Sequence, residues 1–451
     1  MTAALLLNAE RQIDSVDLRD VVSEALNTAS KMGVDAASVS ATRSQSADVK
    51  VRMGEIETVE NSNQKSLGIE VYLGKHRGLA TTNHLSRSAI EDTVRAASAI
   101  ARYTAEDPCS GLPPPERLVQ EAEDLELFHP SEVDRSLALQ MALECENAAL
   151  ESDEKIGNSQ GASFSAGMGE SAMGNSDGLL IFDKSTSYNI GCSVVAKTES
   201  GMQTDYWQCS SRDLLKLDSP GSVGRKAAAR TLRKLDSGRI KTCTAPVLFE
   251  SPVASSLLSA LTSAISGPSQ YRKSTFLLDS AGKKIFPDSV RIHEQPHLKC
   301  ALGSSISDAE GVATQAQDIV TNGILQRYVL DCYSARKLNL ATTGNAGGTF
   351  NLTLDSGLRD FDDLVRLMHR GLVVTGLMGF GTNIVTGDYS VGVCGLWVEN
   401  GEIQYPVSEL TIAGNLRQIF LNVVEVGTDC NLQRRTRTGS ILISEMAIAG
   451  E

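Results

Sequence analysis

The sequence predicts an α+β protein with an N-terminal helix-plus-antiparallel-sheet region, a middle α/β segment and a β-rich C-terminal domain. Helical and alternating strand patterns follow one another through the first half, a proline-rich stretch interrupts the chain near residue 110, and glycine-punctuated strand patterns dominate beyond residue 279. Because 451 residues exceed what one core usually serves, we expect an N-terminal α+β domain over 1–115, a central domain over 116–240 and a β-rich C-terminal domain over 241–451.

The first hundred residues predict two helices packed on a sheet. Asp17 is a candidate N-cap for a helix that ends before Gly33. Its apolar positions at helical spacing are Leu18, Val21, Val22, Ala25, Leu26 and Ala29. Alternating residues within 39–53 and 69–73 predict strands, and Ser88 to Glu91 matches a capping box at the start of a second helix. We expect the helices to cover one face of an antiparallel sheet.

The stretch from Asp107 to Pro115 is rich in proline, which favours an extended linker over a packed element. Beyond it we predict a helix over 131–150, then strands over 161–207 with a tight turn at 175–178. A further helix is expected after Pro220.

The C-terminal domain is predicted to begin with a helix capped by Ser251, with Pro252 at its first position and Gly267 at its end. The strands that follow include a tight hairpin through Asn400 and Gly401, a dipeptide typical of such turns.

Composition excludes several classes of protein. A net charge of −13 opposes binding to a phosphate backbone, and the short basic run 434–437 is interpreted as a solvated turn. No apolar run is long enough to span a bilayer, and the apolar patch of residues 1–7 is too short and lacks the basic n-region of a secretory signal. Nine cysteines without C-x-x-C pairs indicate reduced thiols. We therefore expect a cytoplasmic protein that contacts neither nucleic acid nor membrane directly.

Residues 293–297 match H-E-x-x-H, the pattern by which a helix holds zinc for peptide hydrolysis. That chemistry needs His293 and His297 on one helical face with Glu294 between them. Pro296 has no N–H for the helical hydrogen bond and its ring clashes with the preceding turn. We therefore predict strand or loop structure here, and keep the three residues only as weak catalytic candidates.

The remaining patterns carry little chemistry. The glycine-rich run 376–381 lacks both a Walker lysine and the strand-helix context of a dinucleotide site, so its glycines are interpreted as structural and no cofactor is expected. Asp308, Glu310 and Asp388 lie in glycine-containing segments where turn chemistry accounts for carboxylates.

Several segments, in one order along nearly the whole chain, resemble the PmbA (TldE) branch of the TldD/PmbA metalloprotease family, whose members are also described as modulators of DNA gyrase. The segments that carry the resemblance are 271–280, 308–312, 333–338, 343–348, 386–390 and 397–415.

This resemblance implies a proteolytic complex in which a TldD subunit carries zinc and pairs with a PmbA subunit, acting on unfolded or small peptides in peptide maturation or antitoxin degradation. TldD-type chains carry H-E-x-x-x-H on the helix that corresponds to the one after Ser251. Its metal-bearing positions correspond to Leu258, Ser259 and Ser263, so zinc is not expected on this helix.

TldD-type chains also carry a functional cysteine in a stretch that corresponds to Gln433 through Gly439, where this chain has arginines and threonines. Cys430 is near but displaced. The resemblance therefore implies that this chain binds an extended peptide as one wall of a shared cleft, since strand edges bind peptides through their backbones.

The leading hypothesis is a PmbA-type subunit of a cytoplasmic metallopeptidase complex, whose own catalytic residues are unknown. It would hold peptide substrate while a TldD-type partner supplies zinc, as a heterodimer, or as a homodimer when that partner is absent. The alternatives are an autonomous zinc peptidase that uses His293, Glu294 and His297, and a non-enzymatic regulator of DNA gyrase.

Overall fold

The computed structural model of the chain describes residues 5–7, 16–120, 123–379 and 381–450, with the backbone alone at 5–7. The first elements are β1 (Leu5–Leu7), α1 (Leu18–Lys31), β2 (Ala36–Arg52), β3 (Glu55–Leu73), β4 (His76–Thr82) and α2 (Arg87–Tyr103). The next elements are β5 (Val133–Asp134), α3 (Arg135–Leu150), β6 (Asn158–Asn175), β7 (Leu180–Thr198), β8 (Gly201–Ser211) and α4 (Pro220–Leu232).

Six of these strands form one antiparallel sheet in the order β4-β3-β2-β6-β7-β8, while β1 pairs with β5. The sheet takes strands from both sides of residue 115. Strand β8 lies at its edge, with β7 on one side and no described strand on the other. An edge strand presents unpaired backbone donors and acceptors.

All four helices pack on the same face of this sheet. Side chains alternate between faces along a strand, and β2 buries Val39 under α1 and α2 and Val49 under α3 and α4. The opposite face of β2 carries small hydroxyl side chains, among them Ser40, Thr42 and Ser44. The expected one-sided cover of an antiparallel sheet is confirmed.

Helix starts lie close to their predicted positions. Asp17 caps α1, and its side chain accepts a hydrogen bond from the Arg19 N–H. The predicted cap of α2 at Ser88 is wrong, because the helix begins two residues earlier and Ser86 accepts from the Ala89 N–H. Asp134 caps α3, which begins at Arg135, four residues after the predicted start. Competing Ser and Asp residues near a helix start each offer a capping oxygen, and the chain path decides between them.

The C-terminal half is β-rich. Its elements are β9 (Cys243–Phe249), α5 (Ser251–Ala264), α6 (Gly267–Tyr271), β10 (Ile292–Glu294), β11 (Gln317–Thr321), β12 (Ile324–Leu325), α7 (Cys332–Leu338), β13 (Leu352–Leu354), α8 (Phe361–Met368), β14 (Gly371–Met378), β15 (Asp388–Glu399), β16 (Glu402–Asn415), α9 (Leu416–Leu421), β17 (Val423–Val426), β18 (Thr436–Arg437) and β19 (Ile441–Ala449). Short 3₁₀ turns lie at Pro115–Arg117 and Leu214–Lys216.

Strands β16, β15, β14, β9 and β19 close into a barrel, because β16 pairs with both β15 and β19. The predicted hairpin through Asn400 and Gly401 joins β15 to β16, and both turn residues have positive φ. A second, smaller sheet has the order β12-β11-β10-β13-β18. Its edge strand β18 contains part of the basic run 434–437, so the interpretation of that run as a solvated turn is wrong for Thr436 and Arg437.

Helix α5 packs its apolar side on the main C-terminal core. The predicted cap is wrong by one residue, since Glu250 occupies the cap position without a side-chain cap and Ser251 is the first helical residue. The helix ends at Ala264, and Gly267 begins α6 instead. Among the described helices, none is both long and apolar enough to cross a membrane.

Candidate functional site

The pentapeptide 293–297 does not form a helix. His293 and Glu294 lie in β10, paired with β11 and β13, and His297 lies in the turn that follows. Because successive residues of a strand face opposite sides, His293 and Glu294 point away from each other. The predicted strand or loop structure is confirmed.

Each of the three side chains has its own partner. His293 Nε2 lies 2.8 Å from Asp355 Oδ1. His297 Nε2 lies 3.0 Å from Thr314 Oγ1. The Glu294 carboxylate accepts from amide donors inside the domain, so the structure does not bring the three candidates together around one point.

Glu294 is almost fully buried, with 1% of its surface exposed. It accepts hydrogen bonds from Asn345 Nδ2, Gln317 Nε2 and the Phe350 N–H. Burial raises the pKa of Glu294, while these donors and the nearby charge of Arg327 oppose the rise. The carboxylate thereby fixes the loop from 343 to 350, which contains one of the family-like segments.

Asp308 anchors the same loop from the other side. Its carboxylate accepts from the N–H groups of Glu310, Val312 and Ala346 at 2.9–3.0 Å. Burial raises the pKa of Asp308 to about 6 despite these donors. The predicted turn role of Asp308 is confirmed, and the Glu310 carboxylate similarly accepts from the Cys332 N–H at the start of α7.

The third predicted turn carboxylate, Asp388, is exposed at the start of β15. It accepts a hydrogen bond from Thr386 Oγ1 at 2.6 Å.

In the glycine-rich run 376–381, Gly379 has a φ of 78°, a backbone conformation that favours glycine. Phe380 of that run lies outside the described residues.

The proline-rich segment is docked rather than free. Arg336 of α7 donates to the carbonyls of Cys109 at 3.0 Å and Gly111 at 2.8 Å, and also to that of Leu112. Tyr333 Oη donates to the Asp107 carboxylate at 2.7 Å. The expected linker therefore packs on the C-terminal domain, because the planar guanidinium satisfies carbonyls that a proline-rich chain cannot pair internally.

This docking encloses a polar cleft of about 300 Å³ between the two halves of the chain. Its lining includes Glu70, Tyr72, Arg77, Glu310 and Arg336. Arg77 pairs with Glu70, and Tyr72 Oη donates to the same carboxylate. Since these groups satisfy one another, the cleft is explained as an interface between domains.

Helix α5 places the three positions that the resemblance compares with metal ligands in different surroundings. Leu258 is buried in the core, whereas Ser259 and Ser263 are exposed. The Ser259 hydroxyl donates to the Ser255 carbonyl along the helix. Zinc in proteins is held by thiolate, imidazole or carboxylate. An aliphatic side chain and two hydroxyls do not fit this metal.

The C-terminal segment that the resemblance compares with a functional-cysteine segment lies against the first turn of α5. Ser251 Oγ donates to the Thr438 carbonyl at 2.9 Å, and Ser440 Oγ accepts from the Ser251 N–H at 3.0 Å. Ser440 in turn donates to Asp429. The fold thus brings the helix that the resemblance compares with a zinc-binding helix against the segment that it compares with a functional-cysteine segment. Cys430 is half-buried, and burial raises the pKa of its thiol.

Beside this junction the loop 431–435 faces the edge strand β8. Together they enclose a cleft of about 180 Å³, which we name the β8 cleft. It is lined by Gln208, Cys209, Ser210, Leu302, Asn431, Gln433, Arg434 and Arg435. Cys209 Sγ donates to Gln433 Oε1 at 3.0 Å across the cleft.

The β8 cleft is the part of the site that sequence reasoning missed. Three arginines in four residues at 434–437 are its only local signal in the sequence. Within the described residues no group of three His, Cys, Asp or Glu side chains is placed to hold a metal ion. The chemistry this region offers is therefore backbone hydrogen bonding at a strand edge together with positive charge.

Comparison with known proteins places these features in a family. Models described as PmbA/TldA metallopeptidase domain 1, central domain and C-terminal domain match residues 37–101, 128–235 and 242–450. The metalloprotease PmbA of Escherichia coli O157:H7 is 45% identical, covering 99% of this chain and 98% of that protein. The metalloprotease PmbA homolog of Haemophilus influenzae is also 45% identical, with 99% and 98% coverage.

A crystal structure of a candidate modulator of DNA gyrase from Bacteroides thetaiotaomicron superimposes with a TM-score of 0.91 at 29% identity. The match covers 96% of this chain and 99% of that one. The same α+β architecture is therefore present along nearly the full length of both chains.

Proposed function

Because this chain belongs to the PmbA branch of the PmbA/TldD metallopeptidase family, we propose that it is the peptide-binding subunit of a cytoplasmic two-subunit peptidase. In this proposal a TldD-type partner supplies the zinc and the bond-breaking chemistry. The substrate is an unfolded or small peptide, as in peptide maturation or antitoxin degradation. A homodimer is the expected form when the partner is absent.

The observation that carries the proposal is the β8 cleft and its position. Strand β8 is the edge strand of the large sheet, and its residues 208–210 line the cleft. Strand β18 is the edge strand of the small sheet and follows directly after loop 431–435, which forms the other wall of the cleft. The edge of β8 at this cleft suits an extended chain, since backbone hydrogen bonds bind peptides with little dependence on sequence.

The assignment of zinc to a partner rests on the residues of this chain. Leu258, Ser259 and Ser263 are not zinc ligands. His293 and Glu294 are engaged with Asp355 and with amide donors, respectively. A metal held by the partner agrees with this donor set, and the part of this chain is then to hold and orient the peptide.

A reconstitution experiment tests the proposal. The full chain is purified alone and together with its TldD-type partner, and bound zinc and cleavage of an unstructured peptide are measured for each. We expect cleavage and stoichiometric zinc only when the partner is present. The variant His293→Ala should leave the activity of the mixture unchanged, as should His84→Ala, a control at an exposed histidine.

Two results would favour the alternatives. Tight stoichiometric zinc and cleavage by the lone chain, both lost in His293→Ala but kept in His84→Ala, would establish the autonomous peptidase. Absence of cleavage in every preparation, together with a change in gyrase supercoiling activity on addition of the chain, would favour a non-enzymatic regulator.

A second experiment tests the mode of binding. If an extended peptide pairs with a strand edge, methylation of its backbone nitrogens removes the donors on which binding depends. We expect a peptide N-methylated at alternate residues to bind more weakly than its unmethylated parent. Because an edge strand pairs with only every second residue of the peptide, equal affinities of the parent and of both methylated forms, at odd and at even residues, would exclude strand pairing.

A further inference from the structure

Positive charge is concentrated at the β8 cleft in a chain whose net charge is −13. Arg434 and Arg435 line the cleft from the C-terminal loop. From the opposite side, Arg212 donates to the carbonyl of the lining residue Leu302 at 3.2 Å. Lys226 Nζ, on α4, lies 3.8 Å from the ring centre of Trp207, which belongs to the edge strand β8.

These cations are close enough to repel one another. Burial, and then the charge of Arg435, lowers the pKa of Arg212. Burial also lowers the pKa of Lys226, to which the charges of Arg230 and Arg434 contribute. Like charges gathered in a partly buried cleft are stabilised when an anion enters.

No carboxylate among the described residues forms an ion pair with Arg212, Arg434 or Arg435. The hydrogen bonds of Arg212 go to the carbonyls of Thr186 and Leu302, and its Nε is buried without a partner. Asp218 lies near enough to favour the charged form of Lys226, but not within ion-pair distance of the arginines.

On the adjacent helix α4, by contrast, arginines are paired with a carboxylate. Arg230 and Arg233 of α4 both pair with Glu250, at 3.0 and 2.7 Å. Arg230 and Arg233, which lie next to the cleft, thus have a carboxylate partner, whereas Arg434 and Arg435, which line it, have none among the described residues. An unpaired guanidinium presents a planar fork that matches a carboxylate in two-point contact.

We propose that the β8 cleft binds a carboxylate of the extended peptide, either its C-terminal carboxylate or an Asp or Glu side chain. This inference rests on the proposed function in peptide binding. The cleft has room for one such group and a few atoms of backbone, at about 180 Å³. A polyanion such as nucleic acid is disfavoured by the negative charge of the whole chain.

The test measures binding of dye-labelled, unstructured hexapeptides to the full chain by fluorescence anisotropy. The first peptide has a free C-terminal acid and no acidic side chain. The second is its C-terminal amide, and the third is the amide with one Glu near the end. We expect the first or third to bind about tenfold or more tightly than the second, as for a charged hydrogen-bonded pair.

The variants assign the effect to the cleft. In the double variant Arg434→Gln/Arg435→Gln the preference for the carboxylate should disappear, while the affinity for the neutral amide stays the same. Arg434→Lys/Arg435→Lys keeps the charge without the planar fork, and should retain an intermediate preference. Arg102→Gln, at an exposed position on α2, is the matched control and should leave the preference intact.

The outcomes separate this inference from the proposed function. If only the first peptide binds more tightly than the neutral amide, the ligand is the C-terminal carboxylate. If the third peptide also binds more tightly than the neutral amide, any carboxylate of the peptide serves as the ligand. Equal binding of all three, unchanged in the double variant, would overturn the carboxylate site and leave peptide binding standing. If no peptide binds with or without a TldD-type partner, the proposed function fails as well. Loss of assembly with that partner in a folded double variant, with unchanged peptide affinities, would instead make the cleft a subunit contact.

Discussion

The side-chain amide of Asn345 donates a hydrogen bond to each carboxylate oxygen of Glu294, both at 3.0 Å. Gln317 Nε2 and the Phe350 N–H add a donor each, both at 2.8 Å. The carboxylate that a zinc motif would use as a general base is thus occupied in holding a loop. Glu294 therefore has a structural role in the sheet that contains β10, although its position matches the glutamate of a zinc motif.

We expect Glu294→Gln to destabilise the protein by about 1–3 kcal/mol. The new side-chain NH₂ group is a hydrogen-bond donor, and it would face the donors of Asn345, Gln317 and Phe350 that now bind the carboxylate. Urea denaturation measures the change in free energy of unfolding. Glu60→Gln, at an exposed glutamate of β3, is the control and should change it by less than about 0.5 kcal/mol. Full stability of Glu294→Gln combined with loss of peptidase activity in the reconstituted complex would contradict the structural role.

Asp308 predicts a specific dependence of stability on pH. Its pKa in the folded protein is about 6, whereas in the unfolded chain an aspartate titrates near 3.9. Between these values the folded state binds the additional proton, so the free energy of unfolding falls as pH rises through this window. The contribution of Asp308 should decline by a few kcal/mol, about 1.4 for each pKa unit, and remain constant above pH 7.

Comparison with Asp308→Asn isolates this effect. The difference in free energy of unfolding between wild type and variant should change between pH 4.5 and 6.5 and be flat from 7 to 8, as measured by denaturation at each pH. Because the charge of Glu310 also raises the pKa of Asp308, Glu310→Gln should narrow the window. Parallel pH profiles of wild type and Asp308→Asn would show that Asp308 titrates at its ordinary pKa.

Arg336 should determine whether the proline-rich segment stays docked. Arg336→Lys keeps the charge but loses the fork that reaches the carbonyls of Cys109, Gly111 and Leu112. We expect faster hydrogen exchange and faster proteolysis within 107–115, with a loss of about 1–3 kcal/mol in the free energy of unfolding. Arg87→Lys, at an exposed arginine of α2, is the control, and equal exchange rates in both variants would contradict the clamp.

Gly224 sets the distance between α3 and α4, which support the strands that lead to β8. A Cβ atom there would lie 2.0 Å from the Cys145 carbonyl oxygen. We therefore expect Gly224→Ala to cost about 1–3 kcal/mol or more through overpacking, measured by thermal and chemical denaturation. Gly157→Ala meets no atom within 4 Å and should be nearly neutral, so equal stabilities of the two variants would contradict the close packing.

Much of the fold follows from local pattern. Apolar periodicity predicts the helices of the first half and the one-sided sheet, because burial of an amphipathic face depends on residue spacing alone. Helix starts are harder to place, as at Ser86 and Glu250, since several neighbouring residues can occupy a cap. The predicted extended linker instead contains a turn at 108–109 and is packed, because its partner Arg336 lies more than two hundred residues away in sequence.

The sequence by itself determined the α+β class, the family and the rejection of a helix at Pro296, since proline geometry and residue spacing act locally. Only the tertiary structure decided what Glu294 binds, that loop 431–435 meets strand β8, and that Arg434 and Arg435 line a cleft beside Arg212, none of the three having a carboxylate partner among the described residues. Those relations join residues far apart in the chain, and the distance and charge between them exist only once the sheets have packed.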